Sequence, residues 1–168
     1  AGLKPRMLKA LEGRSLSQAD QDLMTRLASW DSTMARDKME PLLFMAWVRQ
    51  IMIMSFEDDL GVMFKDWFKL RGKVLERLLD GKTVRNWCDV KSTEAAESCD
   101  QIVSEAFDAA VADQSVRFGE DASKWRWGQA HYAKGEHRPF GKVSLLKRFF
   151  NVEVESGGGP FTLDRGRT

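Results

Sequence analysis

The residues able to do chemistry are few. His131 and His137 lie six positions apart, so on a helix they would face nearly opposite ways, and neither has the Glu-x-x-His neighbour that makes a metal site. Their ordinary reading is two histidines hydrogen-bonded inside an ordered loop. Glu57, Asp58 and Asp59 form an acidic cluster with the groups of a general acid or a calcium ligand, but no alternating acidic loop of the EF-hand type follows, and a solvated helix end is the better account. Ser156 precedes three glycines without the Gly-x-Ser-x-Gly elbow of a nucleophilic serine, which favours a flexible turn. Cys88 and Cys99 are too few and too widely spaced for a zinc cage, so no metal is expected. They are close enough to bridge, which would contribute about 3 kcal/mol on the chain-entropy model, and two buried free thiols remain the alternative.

The elements that must position these groups are mainly helical. Ser17 caps a run with Leu23, Met24, Leu27 and Trp30 at helical spacing. Asp37 and Glu40 open the next helix, which tolerates Pro41 in its first turn and continues to Phe56. Leu42, Leu43, Ala46, Trp47 and Ile51 form one face, while Phe44, Met45, Val48, Met52 and Ile53 fill the others. A helix apolar nearly all round belongs at the centre of a core. One or two helices follow Gly61, with Gly81 as a stop, and Ser92 or Thr93 caps an amphipathic helix in which Ala95, Cys99, Ile102, Val103, Ala106 and Ala110 form the apolar stripe. Beyond Gly119, Trp125, Trp127, His131, Tyr132, His137, Pro139 and Phe140 are strung among glycines and basic residues, as in an ordered loop held by its aromatics. Val143 to Phe150 reads as a short helix. Val152 with Val154, then Phe161 with Leu163, alternate as in a late hairpin.

The chain is thus read as a single segment, 1-168, mainly α with a short C-terminal β-hairpin. Helices occupy about 1-118, an aromatic-rich loop and short helix 119-150, and strands 151-165. Its 168 residues are enough to bury roughly 70% of the surface that the unfolded form exposes. A net charge of +1 argues against a strongly basic nucleic-acid binder and against an acidic disordered tail. Residues 117 to 168 hold ten Lys/Arg against six Asp/Glu, too small an excess for a nucleic-acid surface even among aromatics. The longest apolar stretch, Leu42 to Phe56, is broken by Arg49 and Gln50 and falls short of the roughly 20 residues that span a bilayer. Neither nucleic acid nor membrane is an expected partner, and no signal peptide is visible.

Several strings together resemble the later part of the large (beta) chain of the penicillin acylase (penicillin amidase) family. They are Leu27-Ala28-Ser29-Trp30-Asp31-Ser32-Thr33-Met34, Glu40-Pro41-Leu42-Leu43-Phe44-Met45-Ala46-Trp47, Asp59-Leu60-Gly61 and Trp87-Cys88-Asp89 with Thr93, Glu97 and Cys99. Trp125-Arg126-Trp127-Gly128-Gln129-Ala130-His131, His137-Arg138-Pro139-Phe140-Gly141, and Gly157-Gly158 with Thr162 and Arg165-Gly166 continue in the family's order. At Gly159 and Asp164 the chain departs from relatives, which carry an aspartate after the two glycines and an asparagine near Asp164.

The resemblance implies an N-terminal nucleophile hydrolase of αββα fold, of which this chain is a fragment. In that family a precursor cuts itself into a small and a large chain, and the large chain's new amino-terminal serine attacks a linear amide with its own α-amino group as base. An asparagine and a backbone N–H stabilise the oxyanion. Those groups lie before the region matched by Ala1, so no catalytic residue is expected in this chain, and Trp125, Trp127, His131 and His137 are assigned structural support. The implied partners are the small chain, the remaining parts of the large chain and a small-molecule amide, penicillin or a related N-acyl compound. An acyl-homoserine lactone acylase and a non-catalytic helical interaction module are the alternatives. The resemblance further implies calcium in the complete enzyme, a periplasmic location and, from that oxidising compartment, a Cys88–Cys99 disulfide. Finally, the helix from Met39 to Phe56 is expected to expose part of Phe44, Trp47, Val48, Met52 and Phe56 when other segments are absent.

Overall fold

The computed structural model describes residues 2–68, 72–159 and 162. Phe161, Leu163, Asp164, Arg165 and Gly166 therefore lie outside the described residues. The described chain is mostly helical with one two-stranded antiparallel sheet near the C-terminus: α1 Leu3–Lys9, α2 Gln18–Ser29, α3 Glu40–Leu60, α4 Phe64–Trp67, α5 Gly72–Leu79, α6 Cys99–Phe118, β1 Tyr132–Gly135, α7 Lys147–Phe150 and β2 Val152–Glu155. It divides into two compact units, Ala1–Trp30 with Leu43–Glu120, and Asp31–Leu42 with Asp121–Thr168. Among the described residues, no helix is long and apolar enough to cross a membrane.

The first unit is built on α3. Between Glu40 and Phe56 only Arg49 is exposed, because the helix has no polar face to offer water. From Leu43 onward it is covered by helices of its own unit and by the segment that carries Trp87. Trp47 donates its indole N–H to the Val103 carbonyl (2.7 Å) and meets Phe107 edge to face at 5.0 Å, so α6 lies on one side. Phe56 is gripped between Trp67 (5.1 Å) and Trp87 (5.3 Å), and Phe44 leans on Trp30 at 5.4 Å. The expected exposed patch is thereby overturned: Trp47, Val48, Met52 and Phe56 are all buried, and Phe44 is half-buried. The chain's own aromatics supply the cover. Exposed large apolar side chains occur elsewhere, with Leu145 and Phe149 each 77% exposed.

Local chemistry sets the helix ends. Ser17 caps α2 by accepting the Asp20 N–H. After α5, Gly81 (φ +65°) donates to Leu78 and Lys82 to Arg77, the paired bonds of a Schellman stop that needs a left-handed residue. The start of α6 differs from expectation. Ser98, not Ser92 or Thr93, is the cap, in a reciprocal box with Gln101, and Ala95 falls outside the helix. The Thr93 hydroxyl instead donates to Glu97 (2.6 Å) and the Val90 carbonyl, which holds residues 90–97 as a turn.

In the second unit, β2 pairs with β1, Tyr132 opposite Glu155 and Gly135 opposite Val152. Of the hairpin expected between residues 152–154 and 161–163, the first arm is a strand, paired with β1, and Phe161 and Leu163 lie outside the described residues; Tyr132–Gly135, read as loop, is a strand. Its four residues were too few to announce a period. The helix expected from Val143 is restricted to α7, preceded by a 3₁₀ turn over Phe140–Lys142.

Because Trp47 is fully buried and hydrogen-bonded, Trp47→Ala is expected to destabilise the first unit by about 3–5 kcal/mol. Trp47→Phe, which keeps most of the packing, should cost less than half of that. Urea unfolding followed by circular dichroism checks both.

Candidate functional site

The histidines and tryptophans singled out beyond Gly119 fall into two clusters of the second unit. A 3₁₀ turn at Trp127–Gln129 is docked by its backbone: the Trp127 N–H donates to the Lys38 carbonyl (2.7 Å) and the Gly128 N–H to that of Arg36 (2.8 Å). The Trp127 indole N–H reaches the Gly158 carbonyl (2.7 Å), and the Gly158 N–H returns to Met34 (2.8 Å). His131, 2% exposed, stacks on the Trp127 ring at 4.8 Å with Nδ1 3.1 Å from the Ser156 carbonyl oxygen, and Ser156 N–H donates to the His131 carbonyl. A carbonyl only accepts, so Nδ1 carries the proton. Trp125 is likewise buried. Three separate stretches, 34–38, 127–131 and 156–158, are tied by groups that would otherwise be buried polar orphans.

Gly128 is required here by proximity. A Cβ at that position would stand 2.8 Å from Glu155 Cβ, which cannot move aside without shifting β2.

His137 belongs to the other cluster. It is exposed, stacks on Phe140 at 5.5 Å and leans on Phe150 at 5.2 Å, and its N–H donates to Asn151 Oδ1 (3.1 Å), whose amide donates to Gly141. The peptide bond between Arg138 and Pro139 is cis. The structure does not bring the two histidines to a common site. His131 and Ser156, by contrast, are neighbours, but the imidazole meets the serine's backbone oxygen while Ser156 Oγ donates to the Gly157 carbonyl. This is not a nucleophile with a base.

The acidic cluster, in the first unit, is organised differently from a solvated helix end. The Asp59 side chain is 1% exposed at the carboxyl end of α3 and forms ion pairs with Arg85 and Lys91. A carboxylate there opposes the helix dipole, so it needs cations from outside the helix. The hydrogen bond from Lys91 holds its pKa below the ordinary 3.8, against the opposing effect of burial, with Arg85 and Lys91 charges adding to the lowering. Asp58 accepts the Lys91 backbone N–H (2.9 Å). Sequence reasoning named Asp59 but read it as part of a solvated helix end, and its burial between two cations corrects that. Its signal was an acidic helix end facing Arg85 and Lys91, some thirty residues away.

Between those two cations lies Cys88, buried and joined to Cys99, the first residue of α6, with an S–S distance of 2.04 Å. Among the described residues no three His, Cys, Asp or Glu side chains gather to hold a metal ion. The calcium implied by resemblance finds no fit in the acidic cluster, because Asp58 and Asp59 are committed to the backbone and side chain of Lys91 and to Arg85.

In the clusters of His131 and His137 the aromatic and polar groups serve backbone, and the Ser156 hydroxyl beside His131 is hydrogen-bonded to the Gly157 carbonyl rather than to the imidazole. The family model described as Penicillin amidase matches residues 2–168, and no curated protein matches the chain. The chain belongs to the penicillin amidase family, a family of hydrolases of amidohydrolase type.

Gly128→Ala is expected to destabilise the second unit by about 1–3 kcal/mol through overpacking against Glu155, read as loss of tryptophan-fluorescence change at lower urea. A pH dependence follows from Asp59. Its depressed pKa contributes stability that is complete above the unfolded value near 3.8 and is lost as pH falls through the folded value. Unfolding free energies measured from pH 6 to 2.5 should therefore drop below about pH 4 more steeply in the wild type than in Asp59→Asn.

Proposed function

We propose that the chain is part of a penicillin acylase-type amidohydrolase that cleaves a linear amide between an acyl group and an amine, in penicillin or a related N-acyl compound. The observation that supports this most is the family match across residues 2–168, which takes in both clusters described above. The chain contributes scaffold. Trp127, His131 and Gly128 fasten three stretches of backbone, His137 braces the segment around Pro139, and none is assigned a proton to transfer to substrate. In the complete enzyme the nucleophile is an amino-terminal serine outside this chain, activated by its own amine, and the oxyanion is held by an asparagine and a backbone N–H. The αββα architecture and the association with a small chain and the rest of the large chain belong to the same reading. So does a periplasmic location, which suits a disulfide at Cys88–Cys99 because such bonds persist in oxidising compartments.

The test compares the 168-residue chain with the complete gene product on phenylacetyl and longer acyl amides, following release of the carboxylic acid. The chain alone should stay at the buffer rate while the complete product hydrolyses at least one amide of the panel. Acid released by the chain alone contradicts the scaffold assignment; a complete product inert to the whole panel contradicts the amidohydrolase reading.

A further inference from the structure

Residues 80–98 of the first unit run without a helix between α5 and α6, yet they must deliver the Cys88 thiol to the start of α6. Arg85 and Lys91 stand three residues before and three after Cys88, and both side chains end on the one Asp59 carboxylate. The Lys91 backbone N–H is fixed by Asp58 as well. Fixing both ends of a short loop removes most of the conformations open to its middle. The neighbouring contacts are local: Asn86 Oδ1 accepts the Cys88 N–H (3.1 Å), Asn86 Nδ2 donates to the Glu97 carbonyl (3.1 Å), and Glu97 accepts the Val90 N–H (2.8 Å). The loop meets α3, the covered centre of the unit, in two ways: Trp87 packs on Phe56, and the two ion pairs and the Lys91 backbone hydrogen bond end on Asp58 and Asp59. Asp59 Oδ2 is buried and has no hydrogen-bond partner, a cost that a purely stabilising ion pair would not need to bear.

We propose that Asp59 is a positioning residue for the Cys88–Cys99 bond: it clamps the loop on both sides of Cys88 so that the two thiols meet, and the resistance of the bond to reduction depends on that clamp. The co-reactant is a small-molecule disulfide. One cysteine thiolate attacks it, forming a mixed disulfide and releasing one thiol; the second cysteine thiolate attacks the protein sulfur of that mixed disulfide and releases the other. Two thiol protons leave the cysteines and two electrons pass to the oxidant, which ends as two thiols. Asp59 takes no part in the transfer. It raises the effective concentration of one cysteine beside the other.

The experiment equilibrates the full chain in graded mixtures of oxidised and reduced dithiothreitol, quenches with iodoacetamide and determines the fraction of bonded cysteine by mass. In Asp59→Asn the equilibrium constant for bond formation is expected to fall about tenfold, a shift of roughly 30 mV. Arg85→Gln and Lys91→Gln, whose side chains are half exposed, should each give a smaller fall in the same direction. Asp80→Asn, which breaks ion pairs with Arg6 and Lys82, should leave the constant within twofold. Trp47→Phe, which weakens the same unit away from the loop, measures what stability alone does. A constant for Asp59→Asn within twofold of wild type, or lowered no further than in Trp47→Phe, overturns the proposal. If Asp59→Asn fails to fold, Arg85→Gln and Lys91→Gln decide: a lowered constant upholds the clamp, and constants unchanged in both overturn it.

Discussion

A helix with no polar face must be enclosed, and the first unit is the consequence of enclosing one. Two turns of α3 carry Leu43, Ala46, Trp47, Val48 and Ile51, all buried, and Arg49 is the exposed residue among them. Burying a side chain of this size contributes roughly 1.5–3 kcal/mol, so leaving even two uncovered would forfeit a large share of a domain's net stability. Trp47 against Phe107 and Phe56 against Trp67 and Trp87 are how this chain avoids that loss. One of those covers, Trp87, lies beside Cys88 in a segment with little core of its own. Hence the same segment is where the bond to Cys99, the Asp59 ion pairs and the Glu97 hydrogen bonds accumulate.

The second unit solves a different problem. It has a short two-stranded sheet, which is marginal alone. Its order comes from polar groups that serve backbone: Trp127 to Gly158, His131 to Ser156, Asn151 to both His137 and Gly141. Such links fix geometry more than they add energy, since a net hydrogen bond contributes only about 1 kcal/mol. A hydrolase scaffold has the same requirement, because a misplacement of an ångström at the reacting groups is expensive in rate.

How much of this was legible depended on whether a signal was local. Ser17 with Leu23 and Leu27, the apolar run of α3 and the stop at Gly81 all announce themselves within one or two turns. The start of α6 did not, because Ser92, Thr93 and Ser98 are equally able to cap. The choice was made by Gln101 closing a box and by Glu97 drawing Thr93 into a turn. β1 was hidden by its four residues, and its partner by sixteen intervening ones. The disposition of His131 was hidden as well, for nothing in the chain's order says that Ser156 presents its carbonyl to the ring, and Asp59 owes its burial to cations some thirty residues on. The succession of Trp127, Gly128, His131, His137 and Pro139 identified the family, while its physical content, a glycine demanded by Glu155 and an indole demanded by Gly158, emerged only in three dimensions.

The claim that the first unit is organised around an enclosed α3 is tested most directly by native-state hydrogen exchange, residue by residue. If it holds, the amides from Leu43 to Phe56 exchange only with global unfolding of that unit, while those of α5 exchange through smaller openings with a lower free energy. Amides of α3 that exchange as readily as those of α5, under conditions where the unit stays folded, would contradict it.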